Sequence, residues 1–333
     1  MTVKAAAIQL VSRPIGAPTT GNFTTVDVEI GSPRPGQALV ENVYLSVDPY
    51  MRELMHEGWE FDTFLEGRAI GRIIESADPR LTVGDWVSHR RSWRTHALVT
   101  ADEIRVLPGI DGLDVTNYLG ALGGTGLTAY IGLTRIARVQ PGETVFISAA
   151  AGGVGVAAGQ LARLLGAHRV VGSTGSARKA QYLTRELGFD AAFDYRDGDL
   201  PGQLAEAAPD GIDIYFDNVG GDHLEAAIGS MREHGRIAFC GAVAQYNDLS
   251  NPPSAPRNLF DLVERSIRLE GFMVRDYYDV QPELEQFLIP HILAGRVRSP
   301  HTIVDGFDRM IEAFVGMLQG ENLGKMIVRA AAA

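Results

Sequence analysis

The sequence predicts an α/β protein in two parts, a small antiparallel β domain and a parallel sheet with helices on both faces. Its 333 residues exceed what a single hydrophobic core usually serves, so two domains are expected. The first 120 or so residues are rich in Val, Thr, Gly and Pro, whereas apolar runs alternate with helical patterns from about residue 122. We therefore assign residues 1–121, completed by 298–333, to the β domain and residues 122–297 to the doubly wound α/β domain.

Short strands separated by turn clusters predict the antiparallel domain. Residues 37–45 are a strand candidate, and the turn-forming residues 31–36 precede them. Residues 84–87 continue the pattern. Near the C-terminus, residues 322–328 are again predicted to form a strand, which we expect to return to the first domain.

Alternating strands and helices predict the second domain. The predicted strands are residues 144–148, 169–172, 212–216 and 236–239. After the first of them, a helix is predicted from the apolar residues that share one helical face, which are Val154, Ala158, Leu161 and Leu165. Another helix is predicted over residues 179–187. Repeated alternation of this kind is typical of a parallel sheet that helices cover on both faces.

Composition and charge argue against several classes of protein. The net charge of −11 argues against nucleic-acid binding, which usually needs a basic surface. No apolar run reaches the roughly 20 residues of a membrane-spanning helix. Gln9 and Arg13 interrupt the N-terminal apolar stretch too early for a signal peptide, so we expect a cytoplasmic location. Cys240 is the one cysteine, which excludes an internal disulfide and a four-cysteine zinc site, and we predict no metal site.

The segment ISAAAGGVG, residues 147–155, predicts a nucleotide-binding loop. It follows the pattern G-x-G-x-x-G with Ala150 in the first position and Gly152 and Gly155 in the others. The predicted strand before it and the predicted helix after it are the context that this pattern needs. Gly152 would let the backbone approach a pyrophosphate, and Gly155 would let the helix pack closely on the strand. The start of the helix would add free N–H groups and a partial positive charge.

The end of the second strand favours NADP(H) over NAD(H). Proteins that bind NAD carry an acidic residue about 20 residues after the loop, where it holds the ribose 2′-hydroxyl. Residues 172–179, GSTGSARK, contain no acid but end in Arg178 and Lys179. A carboxylate would repel a 2′-phosphate, whereas these cations would attract one.

Two further glycine clusters follow later strands. Residues 217–221, DNVGG, come after the strand 212–216, and residues 239–242, FCGA, end the next strand. The carboxyl ends of parallel strands line the ligand crevice of a doubly wound sheet, so both clusters are expected beneath a nicotinamide ring.

Taken in order, these motifs resemble the medium-chain dehydrogenase/reductase superfamily. The resemblance is closest to its zinc-free branch of prostaglandin reductases, leukotriene B4 12-hydroxydehydrogenase and NADPH-dependent alkenal/one oxidoreductases. It runs from about residue 40 to the C-terminus, and it rests on LSVDPYMR (45–52), GGTGLTAY (123–130), YFDNVGG (215–221), GRIAFCGA (235–242), Tyr246-Asn247 and NLGK (322–325).

The resemblance implies a GroES-like N-terminal domain, a Rossmann domain and a homodimer. It implies that NADPH reduces the carbon–carbon double bond of an α,β-unsaturated aldehyde or ketone by hydride transfer to the β carbon. Tyr246 matches a tyrosine beside the nicotinamide ribose and the substrate carbonyl, where a hydrogen-bond donor would stabilise the developing oxyanion. Tyr50 matches a residue at the mouth of the substrate pocket. Residues 58–65 and 275–278 depart from the family, so the substrate stays unassigned.

Position by position, the loop motif and the resemblance together give a set of cofactor contacts. Lys179 and Tyr195 match the residues near the 2′-phosphate. The full set of predicted cofactor-binding residues is Thr125, Ala150, Gly152, Gly153, Val154, Gly155, Ser173, Thr174, Lys179, Tyr195, Asn218, Cys240, Gly241, Ala242, Tyr246, Phe272, Met273, Val274 and Asn322.

Two other functions stay open from the sequence. One is an NADPH quinone reductase on the same scaffold, which would show little activity on enones. The other is a protein that binds NADPH without turnover, as a sensor or a crystallin-like relative. A short-chain dehydrogenase is excluded, because none of the ten tyrosines has a lysine four residues later.

Overall fold

A computed structural model of the protein describes residues 2–247 and 254–331. The strands are β1 Val3–Leu10, β2 Phe23–Ile30, β3 Gln37–Val47, β4 Ala69–Ser76, β5 Trp86–His89, β6 His96–Thr100, β7 Arg105–Val106, β8 Thr144–Ile147, β9 Arg169–Thr174, β10 Ala191–Asp194, β11 Ile212–Asp217, β12 Met231–Phe239, β13 Arg268–Gly271, β14 His301–Asp305 and β15 Lys325–Arg329. The helices are α1 Met51–Glu57, α2 Gly124–Ile131, α3 Gly153–Leu164, α4 Ala177–Glu186, α5 Leu200–Ala207, α6 Gly221–Ser230, α7 Asp261–Glu264, α8 Gln281–Leu293 and α9 Met310–Leu318. None of the helices in this part of the chain is long and apolar enough to cross a bilayer.

The chain divides into two compact units. The first unit contains Met1–Leu119 and His301–Ala333, and the second contains Gly120–Pro300. The first unit is built on a sheet in the order β14-β15-β3-β4-β5-β7, in which β6 also pairs with β3, and on the separate ribbon β1-β2. All these pairs are antiparallel except β14 with β15. The predicted antiparallel β domain is confirmed, and the C-terminal strand β15 lies beside β3.

Aromatic side chains form the centre of the first unit. Trp93 is fully buried and stacks on Phe23, with 5.4 Å between the ring centroids. Trp59 and Phe314 meet the same indole edge-on at 5.3 and 5.6 Å. Both geometries are the ones that aromatic pairs prefer. Since the remaining tryptophan, Trp86, belongs to β5, all three tryptophans of the sequence report on this unit.

The second unit contains a six-stranded sheet in the order β10-β9-β8-β11-β12-β13, and every pair in it is parallel. Because β8 is the first strand of this unit, the order is third, second, first, fourth, fifth, sixth. Dinucleotide-binding sheets have this order, and their ligand crevice opens where the order reverses, here between β8 and β11. The predicted parallel sheet is therefore confirmed.

The helix after β8 differs from the predicted one-sided helix. Residues 155–162 of α3 are all buried, so the helix is enclosed around most of its circumference. A Cβ atom added at Gly159 would overlap the ring of Phe189, which shows how closely this small-residue helix packs. Leu165, which was predicted to share one face of this helix, lies just beyond its end as the C-cap and is half-buried. Gly166, with a φ of 98°, turns the chain away at that point.

The next helix begins two residues before its predicted start. α4 starts at Ala177 because the Ser176 side chain caps it, accepting a hydrogen bond from the Lys179 N–H. This cap places Lys179 in the first turn of the helix, directly after the carboxyl end of β9.

Candidate functional site

The glycine loop joins β8 to α3 in the second unit. A Cβ atom on Gly155 would lie 2.5 Å from the Ala149 carbonyl oxygen, so only glycine fits where the helix passes the loop. Gly152 is the N-cap of α3, and its N–H donates to the same carbonyl at 2.9 Å. The left-handed turn falls on Ala149, with a φ of 47°, one residue before the position that matches the first glycine of the motif. Ala150 instead donates its N–H to the Ser173 carbonyl at 2.9 Å and is fully buried.

The first turn of α3 can bind an anion. The first N–H groups of a helix have no carbonyl partner within the helix, and they carry the positive end of the helix dipole. Gly153 and Val154 supply the N–H groups at this end, and both residues are only half-buried. A pyrophosphate is the type of ligand that such a loop holds.

The carboxyl end of β9 gathers two cations. Thr174 of β9 pairs with Asp194 of β10 in parallel register, so the residues that follow each strand come close together. A Cβ atom on Gly175 would lie 3.2 Å from Arg196 Nε, and Lys179 lies in the first turn of the helix that follows. Burial, and then the nearby Arg196 guanidinium, lower the pKa of Lys179. Two cations this close create a site for an anion with more than one negative charge.

Arg196 was not among the predicted residues, because it belongs to the next strand–helix unit. Its neighbour Tyr195 lies at the same place, with a ring carbon 3.4 Å from the Cβ position of Gly175. That ring is 39% exposed and meets His223 edge-on at 5.0 Å. The one signal in the sequence is that Arg196 follows a predicted cofactor residue, Tyr195, directly.

Ser173 and Thr174, the other predicted residues of β9, are buried. The Ser173 hydroxyl has no hydrogen-bond partner among the described residues. The side chains of both residues are therefore almost inaccessible at the carboxyl end of β9.

Two loops at the carboxyl ends of β11 and β12 are joined by backbone hydrogen bonds. The Asp217 carbonyl accepts the N–H groups of Cys240 at 2.9 Å and Gly241 at 3.1 Å. The Asn218 carbonyl accepts the N–H of Val243 at 3.3 Å. The Asn218 side chain donates to the Ser148 carbonyl at 2.8 Å, which ties these loops to the glycine loop. Three predicted cofactor segments are thus held as one body.

Tyr246 lies over the second of these loops. A Cβ atom on Gly241 would lie 3.2 Å from Tyr246 Oη, and it would lie 3.6 Å from the Asn218 carbonyl oxygen. The hydroxyl therefore rests on a surface that glycine leaves open. Ala242, the residue after Gly241, is half-buried. Burial, and then the Asp217 carboxylate, raise the pKa of the Cys240 thiol to about 12, which keeps it neutral and unreactive.

The remaining predicted residues of the second unit lie at two places. Thr125 is in the first turn of α2, where its hydroxyl donates to the Gly120 carbonyl at 2.7 Å. Phe272 follows β13, and its ring meets Phe216 edge-on at 6.4 Å. Met273 is 52% exposed, and Val274 begins the 3-10 helix that follows.

In the first unit, a buried ion pair links the segments that carry Tyr50 and Asn322. Lys325 Nζ lies 2.9 Å from Asp48 Oδ1, and it also donates to the Val47 carbonyl. Tyr50 is the N-cap of α1, and the Asn322 side chain donates to the Gly324 carbonyl at 2.7 Å. The sequence analysis did not identify this ion pair, because its partners are 277 residues apart.

Within residues 2–247 and 254–331, no three His, Cys, Asp or Glu side chains are grouped closely enough to hold a metal ion.

Comparison with known proteins gives matches along nearly the whole chain. A family described as the N-terminal domain of oxidoreductase matches residues 6–107, and one described as zinc-binding dehydrogenase matches residues 153–290. Prostaglandin reductase 1 of Mus musculus is 41% identical over 319 residues, which are 95% of this chain and 96% of the relative. The NADP(+)-dependent 2-alkenal reductase of Nicotiana tabacum is 40% identical over 298 residues, 87% and 86% of the two chains.

Among solved structures, CurA from Vibrio vulnificus in complex with NADPH has a TM-score of 0.93 at 33% identity. That likeness covers 98% of this chain and 100% of the other. The two curated relatives are named as reductases, the tobacco one as NADP(+)-dependent, and the CurA structure is a complex with NADPH. The strand order of the second unit, the glycine loop and these matches agree, and the chain belongs to the medium-chain dehydrogenase/reductase superfamily, in the branch of the prostaglandin and alkenal reductases.

Proposed function

We propose that this protein uses NADPH to reduce the carbon–carbon double bond of α,β-unsaturated aldehydes and ketones. The observation that carries the proposal is the cation pair of Lys179 and Arg196 at the carboxyl end of β9, where residues 172–179 contain no acid. This cation pair favours a cofactor with a 2′-phosphate. The tobacco relative is named as dependent on NADP(+), which carries that phosphate. The same relative names 2-alkenals as its substrates. A cytoplasmic location remains part of the proposal.

The residues of the second unit fit NADP(H) as a ligand. The close approach of α3 at Gly155 leaves the backbone N–H groups of Gly153 and Val154 for the pyrophosphate. Lys179, Arg196 and Tyr195 would hold the 2′-phosphate. The other contacts proposed from the family resemblance are Thr125, Ser173, Thr174, Asn218, Cys240, Gly241, Ala242, Phe272, Met273, Val274 and Asn322.

Tyr246 is the proposed catalytic residue. When bound, NADPH supplies a hydride to the β carbon of the substrate. Negative charge then develops on the carbonyl oxygen, and the Tyr246 hydroxyl donates a hydrogen bond to that oxygen, as an oxyanion hole does. The α carbon then takes a proton, which completes the saturated product. The other residues bind and orient the reactants and exclude solvent, and Tyr50 is proposed to contact the substrate.

The first test is an assay with the purified protein, NADPH or NADH, and a panel of 2-alkenals, enones and quinones. We expect NADPH-selective formation of saturated aldehydes and ketones, identified by mass. Oxidation of NADPH with quinones but not with 2-alkenals or enones would show that the protein is a quinone reductase instead. Binding of NADPH without turnover on any of them would leave a non-catalytic NADPH-binding protein.

The cation pair is tested by Lys179→Ala and Arg196→Ala. Each should raise the KM for NADPH by about 10- to 100-fold, because each removes a hydrogen bond between charged groups. The KM for NADH should stay within about 2-fold. Arg185→Ala is the matched control, since Arg185 is an exposed cation in the last turn of the same helix. Equal changes in both KM values would reject the 2′-phosphate assignment.

Tyr246→Phe tests the catalytic role. Removal of one oxyanion donor should lower kcat by about 100-fold, with little change in the KM for NADPH. An unchanged kcat would show that Tyr246 only shapes the pocket.

A homodimer formed through β13 is part of the proposal. β13 is the outermost strand next to β12, and a sheet edge is a ready template for pairing with a second copy. Exposed apolar side chains precede it or belong to it, namely Leu259, Phe260, Val263 and Leu269. Leu269→Lys should shift the mass measured by light scattering from dimer to monomer, whereas Val83→Lys, on an exposed residue of the first unit, should not. A monomeric wild type at micromolar concentration would reject the dimer.

A further inference from the structure

We propose that Asp217 is a positioning residue, which holds the loop of residues 240–246 so that the Tyr246 hydroxyl lies over Gly241. This inference rests on the proposed function, in which Tyr246 donates to the substrate carbonyl. Asp217 itself does not reach the surface of the site, since it is fully buried. It acts through neutral hydrogen-bond donors and through its own backbone.

The Asp217 carboxylate organises its own turn. Its Oδ1 atom accepts the N–H groups of Val219 and Gly220, both at 2.8 Å, and the Tyr215 hydroxyl at 2.7 Å. Its Oδ2 atom is buried without a hydrogen-bond partner among the described residues. A buried carboxylate that is paired with no cation costs free energy, so it is expected only where its geometry is needed.

The turn then carries the loop that bears Tyr246. The Asp217 carbonyl accepts the N–H groups of Cys240 and Gly241, and the Val219 carbonyl accepts that of Ala244 at 3.1 Å. The Tyr246 N–H donates to Val243, whose own N–H is held by the Asn218 carbonyl. A shift of the turn at residues 217–219 would therefore move the whole loop and the tyrosine at its end.

The same network reaches the glycine loop. Ser148, directly after β8, lies 3.0 Å from the Tyr215 hydroxyl through its Oγ atom. That Oγ atom also accepts the Asn218 N–H at 3.0 Å. The start of the cofactor loop and the support of Tyr246 thus share one buried hydrogen-bonded group. Networks of this kind fix geometry more than they add stability.

Asp217→Asn tests the proposal, because the amide keeps the shape but cannot remain an all-acceptor group. We expect kcat with a 2-alkenal to fall by about 10-fold or more while the KM for NADPH changes by less than about 3-fold. In the Tyr246→Phe background the same substitution should have no further effect on kcat, since the hydroxyl that it positions is gone. Multiplying effects, a KM that rises in step with the fall in kcat, or an unchanged kcat would overturn the proposal.

Asp213→Asn is the matched control on the same strand. Asp213 lies at the other end of β11, where it accepts the Thr144 N–H at 2.8 Å and pairs with Arg232. Its loss should affect folding but not kcat. A fall in kcat as large as that of Asp217→Asn would show a general weakening of the sheet and overturn the proposal.

Gly241→Ala displaces the hydroxyl while it keeps the backbone N–H that donates to the Asp217 carbonyl. The new methyl group would lie 3.2 Å from Tyr246 Oη. The variant should lower kcat in the Tyr246 protein, and it should do so far less in the Tyr246→Phe protein, because phenylalanine lacks the atom in contact. Equal effects in the two backgrounds would contradict the position of Tyr246 over Gly241.

Amide hydrogen exchange tests the loop without turnover. In Asp217→Asn, exchange at Cys240, Gly241, Val243 and Ala244 should speed up, while exchange within β9 should not. Unchanged exchange at these four amides would overturn the proposal even for a protein that does not reduce enones, whereas the proposed function fails by the assay of the wild type.

Discussion

Two buried aspartates, one in each unit, meet the cost of burial in different ways. Asp48 of the first unit is 5% exposed and faces the ammonium group of Lys325 at 2.9 Å. Asp217 of the second unit is fully buried, and its hydrogen-bond donors among the described residues are neutral backbone N–H groups and hydroxyls. The ion pair joins two distant segments, whereas most of the neutral donors belong to the strand and turn of Asp217 itself, and one, the Ser148 hydroxyl, belongs to the neighbouring glycine loop.

The pKa values of the two carboxyls move in opposite directions. Burial alone would raise the pKa of Asp48, but Lys325, Arg68 and the Ser46 hydroxyl outweigh it and lower the pKa below 3.8. Burial raises the pKa of Asp217, and the hydrogen bonds from its neutral partners only reduce the rise. The cations around Asp48 outweigh the cost of burial, while the neutral donors around Asp217 offset only part of it.

The comparison separates stability from geometry. The Asp48–Lys325 pair connects β15 to the segment after β3, so its loss should open the first unit. The Asp217 network sets the position of loops, so its loss should be felt first in catalysis. The largest effect on stability is therefore expected from the loss of the Asp48–Lys325 pair.

Lys325→Met should be the most damaging of these substitutions. It leaves the Asp48 charge buried without its partner, which should cost about 3–5 kcal/mol in the free energy of unfolding of the first unit. Denaturation followed by tryptophan fluorescence measures this unit alone, because all three tryptophans belong to it.

The control is Arg309→Met, which removes an exposed ion pair with Glu312 in the same unit. It should cause no measurable change in the fluorescence transition, since exposed pairs add little. If Lys325→Met were as mild as this control, the buried pair would not stabilise the first unit.

Tyr215→Phe should have a smaller effect, on the second unit. It removes one hydroxyl donor from the buried Asp217 carboxylate, which should cost about 1–3 kcal/mol. Amide exchange of β11 measures the loss, and the tryptophan transition of the first unit should not move. If only the tryptophan transition moved, Tyr215 would stabilise the first unit and not the second.

Low pH should change the stability contributions of Asp48 and Asp217 in opposite directions. This effect should be smaller than those of Lys325→Met and Tyr215→Phe. The lowered pKa of Asp48 adds stability that is present above its unfolded value of 3.8 and is lost as the pH falls through the folded pKa. The raised pKa of Asp217 has the opposite sign, so its contribution is present below 3.8 and is lost as the pH rises through its folded pKa. Below about pH 4, Asp48→Asn should flatten the pH dependence of the tryptophan transition, and Asp217→Asn should leave it unchanged. Equal slopes in wild type and Asp48→Asn would contradict the pairing.

Local patterns predicted the parts of the fold that depend on local sequence. The alternation of strands and helices, the parallel sheet and the glycine loop follow from periodicity and from glycines in a set order. The buried circumference of α3 did not follow, because it depends on Phe189, a residue of another segment that fills the space over Gly159.

The parts of the candidate site that sequence reasoning missed depend on contacts between distant segments. Arg196 reaches the end of β9 only through the register of β10 beside it. Lys325 meets Asp48 across 277 residues, and a sequence gives no direct sign of such a pair. Asp217 was visible as part of a glycine-rich turn, but its burial and its hydrogen bonds to the loop of Tyr246 appear only in three dimensions.

The central claim is hydride transfer to the β carbon, and isotope transfer tests it most directly. The purified protein would be incubated with trans-2-nonenal and NADPH that carries deuterium at both C4 positions, and the product would be analysed by NMR and mass. We predict a saturated aldehyde with one transferred deuterium, at C3. Deuterium at C1 of an unsaturated alcohol would mean reduction of the carbonyl instead, and no transfer to any carbon would contradict the account.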